Sequence, residues 1–321
     1  MKTWLSNTLI KRVIINDIAA ATLPPWMMGL LLGGDIQESN SKSETYSDLT
    51  NIPVFREWIG ARKAYEITDQ EVVVKNKKFE ATTDFLKDWF RFEKIKLIDS
   101  KLGMFPRRSV QHWLSELFAL VKDGKTTTCI DKQFFFDTDH PVGQTSATYS
   151  NKITVDISEL PVAQHGTVTV PSVSEMAWVI NRAIQQLMSF PDDFGEPMNE
   201  MLEEFLLMVP LTLQPQAAAA VAGNDLPITD GSIEGLRAMK KRITVVGTPR
   251  LSSWTDELTL FALDAPQKPF ILQQVGDEVE ATSMGEGSEY EHKYDRHQYG
   301  VMQWRGKGYA APQSGVHVTM V

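Results

Sequence analysis

The stretch from Phe55 to Thr83 constrains this chain more than any other, because it reads as a long hairpin built to extend away from a core. A two-stranded hairpin buries too little apolar surface to be stable alone, so one that is charged along its edge and carries aromatics rests on something else. Phe55, Trp58 and Ile59 form an apolar anchor, Gly60 supplies a bend, and Arg62 and Lys63 form a basic run. Glu71 to Lys75 is β-branched, Lys75-Asn76-Lys77-Lys78 is a polar turn or strand edge, and Phe79 to Thr83 resumes extended-type residues. Two supports stay open: the chain's own globular body, or a second copy of it.

At 321 residues, 42% hydrophobic and 23% charged, the chain can bury a sizeable core and divide into lobes. The nearest approach to a membrane segment, Ile18 to Gly34, is interrupted by Pro24-Pro25 and flanked by Asp17 and Asp35, so no apolar run of the ~20 residues a bilayer needs is present. Asn7, Lys11, Arg12 and Asn16 break up the amino-terminal apolar positions, which argues against a secretory signal and for a protein that stays in the cytosol. A net charge of −9 excludes a protein whose work is gripping nucleic acid, since phosphate binding draws on clustered Lys and Arg. Arg107-Arg108 and Lys240-Lys241-Arg242 are too small to be such a footprint. The single cysteine, Cys129, excludes an internal disulfide and a zinc site built on cysteines, and reads as a buried structural thiol in the run Thr126 to Ile130.

Along the chain the segments are unlike one another. Met1 to Asn51 reads as an arm: a short helix, the Pro24-Pro25 break, then a polar passage from Gln37 to Thr50 that gains order by lying on a partner surface. Apolar residues at Val110, Trp113, Leu114, Leu117, Phe118 and Val121 predict a helix over Ser109 to Lys122, with Ser109 as N-cap and Asp123-Gly124 as the stop. Thr126 to Phe136 reads as one or two strands. Ser172 to Glu175 has capping-box spacing and opens a helix with Met176, Val179, Ile180, Ala183, Ile184, Leu187 and Met188 on one face. Glu204 to Pro210 reads as a buried strand and Gln214 to Ala222 as a helix, so that Pro171 to Lys240 looks like a separate lobe. From Arg242 strands return, with apolar runs that suggest burial on both faces. The tail from Gly276 to Val321 is glycine-rich and polar.

Two clusters invite a metal or acid–base reading. Asp137, Asp139 and His140 lie within four residues, but Asp before Thr and His before Pro are also what a tight turn uses to cap its own backbone, and the turn is favoured. Glu289, His292, Asp295 and His297 in the tail read as a solvated strand or turn. No phosphate loop, His-Glu-x-x-His helix or nucleophile elbow is present, so no catalytic, cofactor or metal residue is assigned.

Six passages in order carry a family resemblance: FREWIGARKAY, VKNKKFEAT, CIDKQFFFDTDHPV, EEFLLMVPLTLQPQAAAAV, PRLSSWTDELTLFALD with KPFILQQV, and DRHQYGVMQWRGKGYA. Together they span Phe55 to Ala310, and the chain resembles the major head (capsid) subunits of Mu-like phages. The resemblance implies an α+β chain with the Hong Kong 97-type (HK97-like) capsid fold. It implies an N-terminal arm over 1–51, an extended loop over 52–95, and a peripheral domain over 96–170 with its spine helix at 109–122. An axial domain over 171–241 and a return to the peripheral domain over 242–321 complete that division. It further implies a non-enzymatic shell protein that assembles in the host bacterial cytoplasm as hexamers and pentamers. Its partners would be a portal, scaffold or decoration proteins, and double-stranded DNA held without sequence specificity, with no membrane and no cofactor. Contacts between subunits are expected from Trp26 and Tyr46 in the arm and from Phe55, Trp58, Arg62, Lys63, Lys77, Lys78 and Phe79 in the loop; packing within its own subunit is the competing reading of Trp58. The alternatives are a nanocompartment shell of the encapsulin type and an acidic metal-dependent enzyme.

Overall fold

The computed structural model describes residues 7–50, 68–92, 95–143, 146–162, 165–222, 240–276 and 279–321. In chain order, α1 (Asn7–Ala19), α2 (Pro25–Met28), β1 (Gln37–Ser39), β2 (Ser43–Thr50), β3 (Thr68–Lys75) and β4 (Lys77–Leu86) come first. The helices α3 (Lys87–Arg91), α4 (Ile95–Leu102) and α5 (Phe105–Asp123) follow, then the short strands β5 (His140–Pro141), β6 (Thr148–Tyr149) and β7 (Lys152–Val155). Next are α6 (Val173–Met188), β8 (Glu204–Pro210), α7 (Gln214–Ala222), β9 (Arg242–Thr248), β10 (Glu257–Ala262), β11 (Phe270–Val275) and β12 (Glu280–Met284). The chain closes with α8 (Glu289–Tyr294), β13 (Arg296–Tyr309) and β14 (Gly315–Met320).

The tail that reads as glycine-rich and polar supplies the central strand of one sheet. β13 runs for 14 residues and pairs antiparallel with β11 and β12 along one edge and with β4 along the other, while β1 adds itself parallel to β11. Its glycines misled the reading. Gly306 and Gly308 are where neighbouring side chains come close: a Cβ on Gly308 would sit 2.6 Å from Val74 Cγ2 and one on Gly306 2.9 Å from Asn76 Oδ1.

The second sheet has the order β7-β14-β10-β8-β9. β8 and β10 are buried on both faces, which is why their sequences are continuous apolar runs. Phe205, Leu207 and Val209 pack with the apolar face of α6, and Leu206 and Met208 pack on the opposite side with Trp113, Leu117 and Phe118 of α5. Each such side chain contributes roughly 1.5–3 kcal/mol by leaving water. This sheet takes strands from 152–155, 204–210, 242–262 and 315–320, so the sequence-based divisions at 170/171 and 241/242 run through it. The stretch read as a separate lobe has no sheet of its own among the described residues.

Other expectations need correcting. The long helix starts at Phe105, four residues before the assigned cap, because Pro106 stands in the first turn, where its missing N–H is no loss. Ser109 is then inside the helix, and its hydroxyl instead accepts from Arg305 Nη2 at 2.6 Å. Thr126 to Phe136 is a series of turns with one isolated bridge, Thr128 to Phe134, and no strand. The arm is also woven into its own subunit: Met27, Leu30 and Leu31 are buried in the α5 core, and β1 lies in the first sheet. Ile10, Ile14 and Ile18, one helical turn apart, bury α1 against Phe85, Phe105 and Tyr299.

Candidate assembly surface

The projecting hairpin is made of different strands from those expected. β3 pairs with β2, in antiparallel register from Ser43 against Lys75 to Thr50 against Thr68, and among the described residues no third strand joins them. Phe55, Trp58, Arg62 and Lys63 lie in the segment between those paired ends, outside the described residues. Lys75-Asn76-Lys77-Lys78 is not a turn. The chain passes at Asn76 directly from β3 into β4, which then runs along β13 from Lys77 against Arg305 to Leu86 against Arg296.

That crossing point is fixed by a buried polar network. Asn76 donates through Nδ2 to Ser39 Oγ at 2.8 Å and to the Ser41 carbonyl at 2.8 Å, and its Oδ1 accepts from Gln273 Nε2 at 2.9 Å. Gln273 Nε2 also donates to the Val74 carbonyl, and Gln273 Oε1 accepts from the Tyr46 hydroxyl at 2.8 Å. Ser39 donates in turn to Glu44 Oε1, and hydrogen bonds from Ser39, Asn40 and Ser41 hold the Glu44 carboxyl below its ordinary range. Buried amides of this kind are costly when left unpaired, so a fully connected set fixes one geometry.

Of the described contact candidates, Tyr46, Lys77, Lys78 and Phe79 sit around this base and Trp26 packs against the α5 core. Tyr46 is half-buried on β2, and burial, helped by the Glu44 charge, pushes its phenol up to about 12. Lys77 and Lys78 are exposed on β4, the ammonium of Lys78 6.0 Å from the Trp304 ring. Phe79 lies 4.3 Å from the His112 imidazole on α5, and Trp26 lies 6.2 Å from Phe118 on the same helix, centroid to centroid. Arg305 anchors the sheet to α5: it stacks 4.2 Å over Trp113 and donates to the Ser109 carbonyl and hydroxyl and to Gln303 Oε1. Burial lowers its guanidinium to about 10 despite the nearby Glu116 carboxylate. Thus the base of the hairpin is rigid and its unpaired strand edges are free to meet another surface.

The two metal readings do not assemble as drawn. Asp137 accepts the Thr138 and Phe134 N–H groups, capping its own turn, and Asp139 is exposed, while His140 turns away to Asp131. In the tail, Glu291 rather than Glu289 meets His297, at 3.1 Å, and Lys87 completes that pair at 3.1 Å. Asp295 ends α8 in the left-handed conformation at φ 53°. Sequence reading missed Asp131, Asn76 and Gln273. Asn76 and Gln273 find their partners far along the chain, and Asp131 finds His140 across a run of turns, so no local pattern marks them.

The family model that this chain matches is the Mu-like prophage major head subunit gpT, over residues 35–160. These residues include the hairpin, α5 and the Cys129–Val142 passage; the three later passages of the resemblance lie beyond them. The major capsid protein of Escherichia phage Mu is 31% identical over 107 residues, covering 33% of this chain and 35% of that protein. The Mu-like prophage FluMu major head subunit of Haemophilus influenzae is 29% identical over 108 residues, covering 34% and 35%. The chain thus spans about a third of the length of the curated relatives it matches. The subunit in the procapsid of bacteriophage JBD30 matches 99% of this chain and 76% of its own length, at a TM-score of 0.56 and 20% identity. At that identity the likeness is one of fold, and the fold is the HK97-like capsid fold, of α+β class.

Proposed function

We propose that this chain is the major capsid subunit of a tailed double-stranded DNA phage or prophage, and that its copies join as hexamers and pentamers into an icosahedral shell around the genome. The observation that carries this reading is a projecting hairpin with unpaired edges, held rigidly at its base, on a chain with a capsid fold over nearly its whole length. In this reading 1–51 serves as N-terminal arm, 52–95 as extended loop, α5 as spine, 171–241 as axial domain and the remainder as peripheral domain. Phe55, Trp58, Arg62 and Lys63 in the segment between β2 and β3, with Lys77, Lys78, Phe79 and Tyr46 near the base and Trp26 against α5, meet the neighbouring subunits.

A net charge of −9 suits a container that must hold DNA without immobilising it, because few lysines and arginines are spare for counterion-releasing contacts. Portal, scaffold and decoration proteins are the further partners this role requires, and the site of action is the virion, assembled in the host cytoplasm. Replacing 51–67 by a short Gly/Ser linker tests the role of that segment. The expected product is a folded subunit with an unchanged far-ultraviolet spectrum that no longer sediments as large particles. Undiminished particle formation by that variant contradicts the assignment.

A further inference from the structure

One group of ligating side chains is gathered among the described residues that the capsid reading does not use. Cys129 Sγ, a carboxylate oxygen of Asp131 and Nδ1 of His140 all lie within 4.8 Å of one another, beneath the turns that follow α5. Cys129 and His140 are buried, and Asp131 is half-buried between them.

The hydrogen bonds around the imidazole are oriented. Asn151 Nδ2 donates to the carbonyls of Phe135 and Pro312, at 2.7 and 3.1 Å, so Asn151 Oδ1 is the atom turned to His140. That oxygen accepts the Asp137 N–H at 2.9 Å and lies 3.1 Å from His140 Nε2, which must therefore carry a proton. A histidine that ligates a metal through one nitrogen characteristically donates from the other to such an oxygen. Nδ1 then faces Asp131 Oδ2 at 2.6 Å, and Cys129 Sγ faces Asp131 Oδ1 at 2.9 Å. Each of these contacts needs a positive particle between its two atoms, a proton or a metal ion.

A second observation points into the same place. Tyr149 is the strand partner of His140, its ring stacked on the imidazole at 5.0 Å and 19°, and its hydroxyl is buried without a hydrogen-bond partner among the described residues, at 7% residue exposure. Burial, with the nearby Asp131 and Cys129, raises that phenol well above its ordinary value.

We infer that Cys129, Asp131 and His140 form a binding site for one borderline divalent ion, zinc by the chemistry of its sulfur, oxygen and nitrogen donors, with Tyr149 completing the fourth position directly or through a water. The charges balance. A thiol, a carboxylate and an imidazolium sum to zero, and a thiolate, a carboxylate and a neutral imidazole with a divalent ion also sum to zero, so binding releases two protons to solvent and buries no net charge. The ion ties the turns after α5 to β5 and, through Asn151, to the carbonyl of Pro312 just before β14.

Cobalt(II) is the probe, because thiolate ligation gives it a near-ultraviolet charge-transfer band. The full chain, freed of metal with a chelator, is titrated with cobalt(II), and its melting temperature is measured with and without zinc. The expected result is about one cobalt per chain with the thiolate band, and a zinc-dependent rise in melting temperature. Cys129→Ser loses the band, His140→Gln loses tight binding, and Asp139→Asn keeps both. Absence of the band in the folded chain overturns the inference. So does a band of unchanged stoichiometry in His140→Gln, or in Asp131→Asn should His140→Gln fail to fold.

Discussion

His317 shows what a single residue in this fold must tolerate. It lies in β14 with no exposure, both ring nitrogens lack a hydrogen-bond partner among the described residues, and Trp254 and Phe136 crowd its ring at 5.2 and 5.3 Å. Glu257 is 3.9 Å from Nε2, too far for a hydrogen bond, and is engaged by Lys125 at 2.8 Å. Burial, reinforced by Lys125 and Lys152, lowers the imidazole to about 3. The unfolded chain takes up a proton near pH 6.5 while the folded one does not. Stability is therefore full above that pH and falls as pH drops from about 6.5 toward 3, by at most about 1.4 kcal/mol per pH unit. His317→Leu is expected to flatten this part of the stability–pH curve in urea unfolding; an unchanged slope between pH 6 and pH 4 (roughly the window between this group's unfolded and folded values) contradicts the assignment. Glu291 acts in a lower window. Hydrogen bonds from His297 and Gly287, with Lys87 beside it, hold its carboxyl down to about 2, so its contribution is complete above the ordinary carboxylate range and is lost as pH falls toward 2. Glu291→Gln should remove that acid-side loss, read by the same unfolding series. At this scale the sequence showed that Cys129 is a buried thiol, but not that Asp131 and His140 surround it. The three meet because turns fold back on themselves, and turns leave no periodic trace.

Among the elements, those with a strong local signal were the most legible. The second helix was read with its cap, and Ser172 and Glu175 form the expected reciprocal pair, at 3.2 and 2.7 Å. Ser172→Ala is expected to lower stability by about 1 kcal/mol, seen as a lower melting temperature with the same unfolding cooperativity. The apolar runs of β8 and β10 likewise announced burial on both faces. The hairpin was read only in part. Val72 to Val74 was recognised as strand, but its partner β2 is a polar stretch whose strand character comes from pairing, and no local propensity marks it. β13 was missed because its glycines read as loop, whereas they make room for Val74 and Asn76. Gly308→Val tests this: its side chain would collide with Val74, loosening the hairpin base at a cost of about 1–3 kcal/mol. Faster tryptic cleavage after Lys75, Lys77 and Lys78 is the expected sign, and an unaltered digestion pattern would show that the notch carries no weight.

The whole molecule was legible through the order of its passages more than through any one of them. Their sequence along the chain implied the capsid fold, while the way strands from four stretches share the second sheet was not visible, because long-range pairing has no local signature. What remains for a partner is the hairpin with its unpaired edges. If Trp58 is an anchor between subunits, Trp58→Ala should leave the subunit folded and lower the assembled fraction by about tenfold or more in velocity sedimentation. Assembly at the unsubstituted level would return Trp58 to the interior of its own subunit. The central claim is tested most directly by the size and shape of the purified full-length chain, by light scattering on a sizing column followed by negative-stain electron microscopy. Shells, or rings of five or six subunits (the numbers about a capsid's symmetry axes), are the result expected of a capsid subunit. A monodisperse monomer that stays monomeric at high concentration and with added scaffold would contradict it.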